Sequence, residues 1–267
     1  AQTGDQEAFA PAPIDEVVAA IARDKPAVVF APHVETSAGI ILPNDYIKAV
    51  TDAVHAVGGI FVLDCIASGC LWVDMKALGV DVLISAPQKG WSGPPCCGLV
   101  MMSGAGVVAL EATTSTSFAC DLKKWRDIMV IYENGGHAYH ATVPTDAIAG
   151  FAAVMRETEA YGFDKVKSEQ QELGDAVRAL LASKGIKSVA AEGFGAPGVV
   201  VSYTQDAAVQ NGSKFAALGM QIAAGVPLMC DEPEGFRTFR LGLFGLDKLH
   251  NVERSVATLD KALSQVL

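Results

Sequence analysis

A parallel or mixed α/β sheet followed by a smaller α+β region is the fold class this sequence predicts. Three observations carry it. Short, continuously apolar runs recur at Ala27–Phe30, Ile60–Leu63, Val82–Ile84 and Gly98–Met102. Helical patterns separate the early runs. The second half then changes rhythm, to long helices with strands grouped among them. Apolar strands without alternation mark a sheet covered on both faces.

Each element has a local reason. Pro13-Ile14-Asp15-Glu16 opens a helix with proline early and acids in the first turn, and the pattern runs to about Arg23. Pro43-Asn44-Asp45 opens the next, with Ile47, Val50, Val54 and Val57 at helical spacing and Gly58-Gly59 as the stop. Asp74–Leu78 is a short helical piece. Thr145–Tyr161 and Phe163–Ser183 are long helices. The second carries a polar run Glu169-Gln170-Gln171-Glu172 and an apolar stripe of Leu173, Val177, Leu180 and Leu181. Pro197–Tyr203 reads as a strand, Ser213–Ala224 as a helix, Val226–Met229 and Thr238–Phe244 as strands, and Leu249–Val266 as the closing helix. The domain boundary falls near residue 155, giving domains 1–155 and 156–267.

Composition narrows the function classes. The chain has 267 residues, 51% hydrophobic and 19% charged, which excludes a disordered polymer. Lys and Arg number 20 against 30 Asp and Glu, a net charge of −10, opposite to the basic stripe of a nucleic-acid binder. Six cysteines are too few for a disulfide scaffold. The polar opening, Ala1–Pro13, has neither the basic start nor the apolar centre of a signal peptide. Apolar runs are far short of a membrane span. A cytoplasmic location is expected.

Ligands of such sheets sit beyond the carboxyl ends of the strands. Three segments follow the first three strands there: His33-Val34-Glu35-Thr36-Ser37, Asp64-Cys65, and Ser85-Ala86-Pro87-Gln88-Lys89. Lys89 enters a turn rich in Gly and Pro, Gly90-Trp91-Ser92-Gly93-Pro94-Pro95. It is either a solvated lysine or, if desolvated, a neutral nucleophilic amine. Asp64 ends an apolar strand, where a charge needs a partner. It either caps or ion-pairs locally, or pairs with a protonated ring nitrogen. His33 and Glu35 lack a convergent third ligand, so no metal site is expected. Cys96-Cys97 is adjacent rather than C-x-x-C, which argues against zinc or thioredoxin-like chemistry and for buried packing.

The motifs His33-Val34-Glu35-Thr36-Ser37-Ala38-Gly39, Asp64-Cys65-Ile66-Ala67-Ser68 and Ser85–Gly98 together resemble the class V aminotransferases. These are fold-type-I enzymes dependent on pyridoxal 5'-phosphate (PLP). The nearest branch is the alanine–glyoxylate and serine–pyruvate aminotransferases. The resemblance implies that domain 1–155 is the C-terminal part of the PLP-binding large domain and 156–267 the small domain. It implies Lys89 as the Schiff-base lysine, Asp64 on the pyridine nitrogen, Thr36 near the ring and Gln88 on the phosphate. Arg240, in Phe239-Arg240-Leu241-Gly242, matches the clamp on the substrate carboxylate, with Arg237 as competitor. Tyr139 and Thr142 match residues that reach the phosphate of a neighbouring subunit, so a homodimer with shared sites is expected; a capping loop is the local alternative.

The implied activity is ping-pong transfer of an amino group from alanine, serine or aspartate to a 2-oxo acid such as glyoxylate or pyruvate. A PLP-dependent lyase or desulfurase is the alternative on the same fold. Gln88 stands where desulfurases carry a histidine, while Cys230 keeps that reading open. The family's opening segment, with its phosphate-gripping helix start and ring-stacking aromatic, has no counterpart here. The different-class alternative is therefore a fragment or subunit, inactive without a separate or absent N-terminal portion.

Overall fold

The computed structural model describes residues 6–267, so the first five residues of the polar opening lie outside the described residues. The chain begins with helix α1 (Ile14–Asp24), strand β1 (Val28–Pro32), the short strands β2 (Val34–Glu35) and β3 (Ile40–Ile41), helix α2 (Asn44–Ala56) and strand β4 (Ile60–Asp64). It continues through α3 (Met75–Leu78), β5 (Val82–Ser85), β6 (Leu99–Met102), α4 (Gly104–Glu111) and α5 (Leu122–Glu133). The second half holds α6 (Thr145–Tyr161), α7 (Phe163–Ser183), β7 (Val199–Tyr203), α8 (Ala207–Gln210) and α9 (Ser213–Ala216). It closes with β8 (Ala223–Ala224), β9 (Thr238–Gly242), α10 (Leu246–Leu249) and α11 (Val252–Val266).

The first sheet has the order β1-β4-β5-β6, with β6 antiparallel and the others parallel. Pro32 pairs with Asp64, and Asp64 with Ile84, so three strand ends share one rim. On one face, Ile21 of α1 and Ile47, Val50 and Val54 of α2 pack on Phe61 and Leu63 of β4. Full burial of each such side chain contributes roughly 1.5–3 kcal/mol. Coverage on both faces fails at edge strand β1. Val29 and Ala31 join that core, while Val28 and Phe30 point the other way and Phe30 is 72% exposed.

The second sheet is antiparallel, in the order β7-β9-β8. Leu173, Val177 and Leu181 of α7 pack with Val200, Phe239, Leu241, Leu259 and Leu263. Gln170, expected on the polar face, is fully buried. Its position follows from the stripe itself, since Val166, Gln170 and Leu173 step by four and three residues. Its amide nitrogen donates to the carbonyls of Pro197 and Leu243, both at 3.3 Å.

Several elements differ from expectation. The helix foreseen over Ser213–Ala224 is only α9, because Gly219 turns into the left-handed region (φ +74°) and Ala223-Ala224 join the ladder on β9. Val226–Met229 is not a strand. Glu232 folds that loop back, its carboxylate accepting the backbone N–H groups of Leu228, Met229 and Cys230. The Cys230 N–H and Glu232's own N–H, with those of Met229 and Leu228, pull the Glu232 carboxyl down to about 2. Helices α4 and α5 carry no counterpart in the sequence reading.

Candidate active site

Two loops on the shared rim carry the candidate residues Asp64 and Lys89. Asp64 ends β4, and its Oδ1 accepts the Ile66 N–H at 2.9 Å. Its Oδ2 has no partner among the described residues. The loop is anchored at its start by the His33 N–H on the Asp64 carbonyl (2.8 Å) and the Cys65 N–H on the Ile84 carbonyl (2.7 Å). Lys89 lies in the turn after β5, which closes through the Ser92 N–H on the Lys89 carbonyl (2.9 Å) and the Gly93 N–H on the Pro87 carbonyl (2.8 Å). Lys89 is partly buried, and its Nζ makes no hydrogen bond or ion pair among the described residues.

The loops touch backbone to backbone. A Cβ at Gly90 would collide with the Gly69 carbonyl, and the Cys70 thiol reaches the Gly90 carbonyl at 3.6 Å. Only glycine permits that approach. Gly90→Ala is expected to cost about 1–3 kcal/mol in urea unfolding, because the obstacle is backbone rather than a flexible side chain. An unchanged midpoint would show that the loops separate easily.

His33 staples the aspartate loop at both ends. Its backbone N–H holds the Asp64 carbonyl, and its ring Nδ1 lies 2.7 Å from Ser68 Oγ. The ring is buried, and burial lowers its pKa to about 4, so it is neutral at pH 7. An open groove of about 470 Å³ runs beside this motif, lined by Phe30, His33, Glu35, Ser37, Tyr46 and Cys230; neither Asp64 nor Lys89 lines it.

The other expected residues are distributed unevenly. Thr36 sits partly buried in the turn between β2 and β3. That turn ends at Gly39 (φ +68°), where a Cβ would press on the Val199 carbonyl; Arg178 and the Ala196 N–H both bond the Gly39 carbonyl. The Thr36 turn is thereby fixed to β7. Gln88 is exposed in the lysine turn. Arg240, mid-strand in β9, donates through Nε to the Ala224 carbonyl at 2.7 Å, whereas Arg237 is held by the Gln205 carbonyl at 2.9 Å. Among the described residues no hydrogen bond joins Tyr139 or Thr142 to the two loops. Tyr139 is 72% exposed, and its hydroxyl meets Thr142 Oγ1 at 3.2 Å.

Two supports were not foreseen. Gln170 packs under the aspartate loop, where a Cβ at Gly69 would meet its Oε1 at 2.8 Å. Behind the lysine turn, Trp91 packs on Trp72 (ring centroids 4.9 Å apart), Phe151 and Phe163. The aromatic residues were visible in the sequence, but only tertiary folding brings them together. Cys96-Cys97 is not buried packing: Cys97 is exposed and Cys96 partly so, because residues 93–98 cross the surface between the lysine turn and β6. The Cys230 thiol is exposed too, and partial burial and the Glu232 carboxylate raise its pKa, which disfavours a thiolate nucleophile. Among the described residues no three His, Cys, Asp or Glu side chains are grouped to hold a metal. No described helix is long and apolar enough to cross a membrane.

The family described as aminotransferase class-V matches residues 8–209. The chain belongs to the class V aminotransferases. The small subunit of a soluble hydrogenase from Synechococcus sp. (strain PCC 6716) is 27% identical over 248 residues, 91% of this chain and 62% of that protein. The 2-aminoethylphosphonate–pyruvate transaminase of Burkholderia thailandensis is 28% identical over 260 residues, 95% of this chain and 67% of the relative. Among solved structures, the alanine–glyoxylate aminotransferase of Nostoc sp. superposes with a TM-score of 0.79 at 20% identity, covering 98% of this chain and 66% of that one. The fold-type-I architecture expected from the motifs is thus the fold of this class V chain. It spans about two thirds of the length of these relatives.

Proposed function

We propose that this class V chain carries the lysine, ring-pairing carboxylate and substrate clamp of a PLP-dependent aminotransferase. It would move an amino group from a small amino acid (alanine, serine or aspartate) to a 2-oxo acid such as glyoxylate or pyruvate. The contact of the Lys89 turn with the Asp64 loop at Gly90 and Gly69 carries the reading, because it holds an amine and a carboxylate on one rim. The names of the relatives, one acting with pyruvate and one with glyoxylate, support the acceptor class.

The donor set fits the cofactor. Asp64 Oδ1 is occupied by the Ile66 N–H while Oδ2 stays available to a ring N–H, and Lys89 Nζ has no competing partner among the described residues. PLP, when bound, supplies an electron-withdrawing ring that stabilises negative charge at the substrate Cα. Asp64 would hold the ring N–H and so favour the protonated ring nitrogen. Lys89 Nζ would hold the cofactor and, as a free amine, would accept and return the proton at the substrate Cα. Thr36 and Gln88 would donate to the ring oxygen and the phosphate. Arg240 has its Nε fixed by Ala224, which leaves the two Nη groups for a bidentate substrate carboxylate. Tyr139 and Thr142, exposed here, would serve the phosphate of a second subunit in a homodimer. Residues 1–155 would form the cofactor domain and 156–267 the small domain, in a cytoplasmic protein.

The chain supplied with PLP is expected to develop a visible absorption band. Alanine or serine should bleach it and glyoxylate restore it, as two separable half-reactions. A band that persists through both additions overturns the reading.

A further inference from the structure

Cys96 and Cys97 form a thiol pair that the transamination reading does not use. Side chains of adjacent residues in extended backbone point to opposite sides. Here the two sulfurs face each other at 3.7 Å. The chain bends at Pro95, and the segment after it is irregular rather than a regular extended strand, which lets the two thiols meet. The pair is also reachable, with Cys97 exposed and Cys96 partly so. Nothing encloses the next residue: a Cβ at Gly98 would meet no atom within 4 Å, so the segment has room to adjust. The other thiols differ. Cys65 and Cys70 are buried, and burial raises them to about 12 and about 11. Cys120 and Cys230 are exposed, and no other pair of sulfurs meets among the described residues.

We propose that Cys96-Cys97 is a modification site at which hydrogen peroxide closes a reversible disulfide between adjacent residues. The thiolate of Cys97 attacks one peroxide oxygen, the O–O bond breaks, and hydroxide leaves; Cys97 becomes a sulfenic acid. The Cys96 sulfur, after losing its proton, forms the S–S bond and expels a second hydroxide. The two thiol protons convert the two hydroxides to water. Two electrons pass from the sulfurs to the peroxide, and the products are one disulfide and two waters.

The bridge is easily reduced. Adjacent Cα atoms across a trans peptide lie about 3.8 Å apart, less than the roughly 4.4–6.8 Å that ordinary disulfides span. Strained and exposed disulfides are the labile ones. Partial burial and the neighbouring Cys96 thiol raise the Cys97 pKa, so its thiolate is scarce at neutral pH and oxidation quickens as pH rises. The bridge would stiffen residues 93–98, which join the Lys89 turn to β6.

The test uses the full chain in a Cys120→Ser/Cys230→Ser background, treated with hydrogen peroxide, unfolded, alkylated with iodoacetamide and mapped by peptide mass. The expected product is a peptide spanning residues 96–97 that has lost two hydrogens (about 2 Da) and both labels. It should remain monomeric on a non-reducing gel and recover both labels after dithiothreitol. In the further variant Cys96→Ser, oxidation should stop at a Cys97 sulfenic acid that dimedone traps. Retention of both labels after peroxide, sulfinic acids at both positions, or cross-linking between chains overturns the proposal. So does the same loss of hydrogens in the Cys96→Ser variant.

Discussion

Lys89→Ala is expected to lower amino-group exchange between alanine and glyoxylate by about 10²–10⁴-fold, the range for losing a positioned acid–base group. Its unfolding midpoint should barely move. The asymmetry follows from the structure. Lys89 Nζ makes no hydrogen bond or ion pair among the described residues, so truncation breaks no internal contact. The turn is held by main-chain bonds at Pro87, Lys89, Ser92 and Gly93, which alanine leaves in place. Lys89→Arg is the sharper control. It keeps the charge but supplies a guanidinium that stays protonated and cannot act as the amine. Both variants should fail to form a borohydride-stable link to PLP at position 89, a readout independent of turnover. Exchange within about threefold of the parent chain in either variant would remove Lys89 from the chemistry.

The fold was legible where local signals and tertiary packing agree. The apolar strand runs and the α2 stripe of Ile47, Val50 and Val54 predict the first sheet and its helix. The motifs after the strands point to the rim because parallel strands place their ends together. Elements set by distant partners were not legible. β8 exists because Ala223-Ala224 pair with Arg240 and Phe239, and the loop after it is irregular because Glu232 gathers three backbone donors. The Gly69–Gly90 approach joins two motifs 21 residues apart through an overlap that spacing cannot reveal. Gln170 is the instructive miss. Its helical spacing placed it on the buried stripe, but its polarity argued for the surface, and only the carbonyls of Pro197 and Leu243 resolve that conflict.

His33 should make the stability of the chain fall as pH drops from about 6.5 to about 4. Burial lowers its folded-state pKa to about 4, whereas the unfolded residue titrates near its ordinary value of 6.5. Between those values the unfolded chain binds a proton that the folded chain does not, so the unfolding free energy rises with pH through the window. The stabilisation is complete above the upper value and lost below the lower one. Its full size is about 3 kcal/mol. Protonation would also place a second N–H in a buried site where Nδ1 already faces Ser68 Oγ at 2.7 Å and Cys65 Sγ at 3.9 Å. The loop affected is the one that ends β4 at Asp64, so loss of order there should accompany loss of stability. Glu232 titrates in a different window. Its carboxyl is lowered from 4.5 to about 2, so its contribution is present above 4.5 and disappears as pH falls through about 2. It is also close to solvent, which screens it. Urea unfolding at several pH values between 6.5 and 4.5 therefore isolates the histidine. In His33→Asn the chain should be less stable at pH 7 and its pH slope in that interval nearly flat. A variant that kept the parental slope would assign the titration to another group and leave His33 as packing alone.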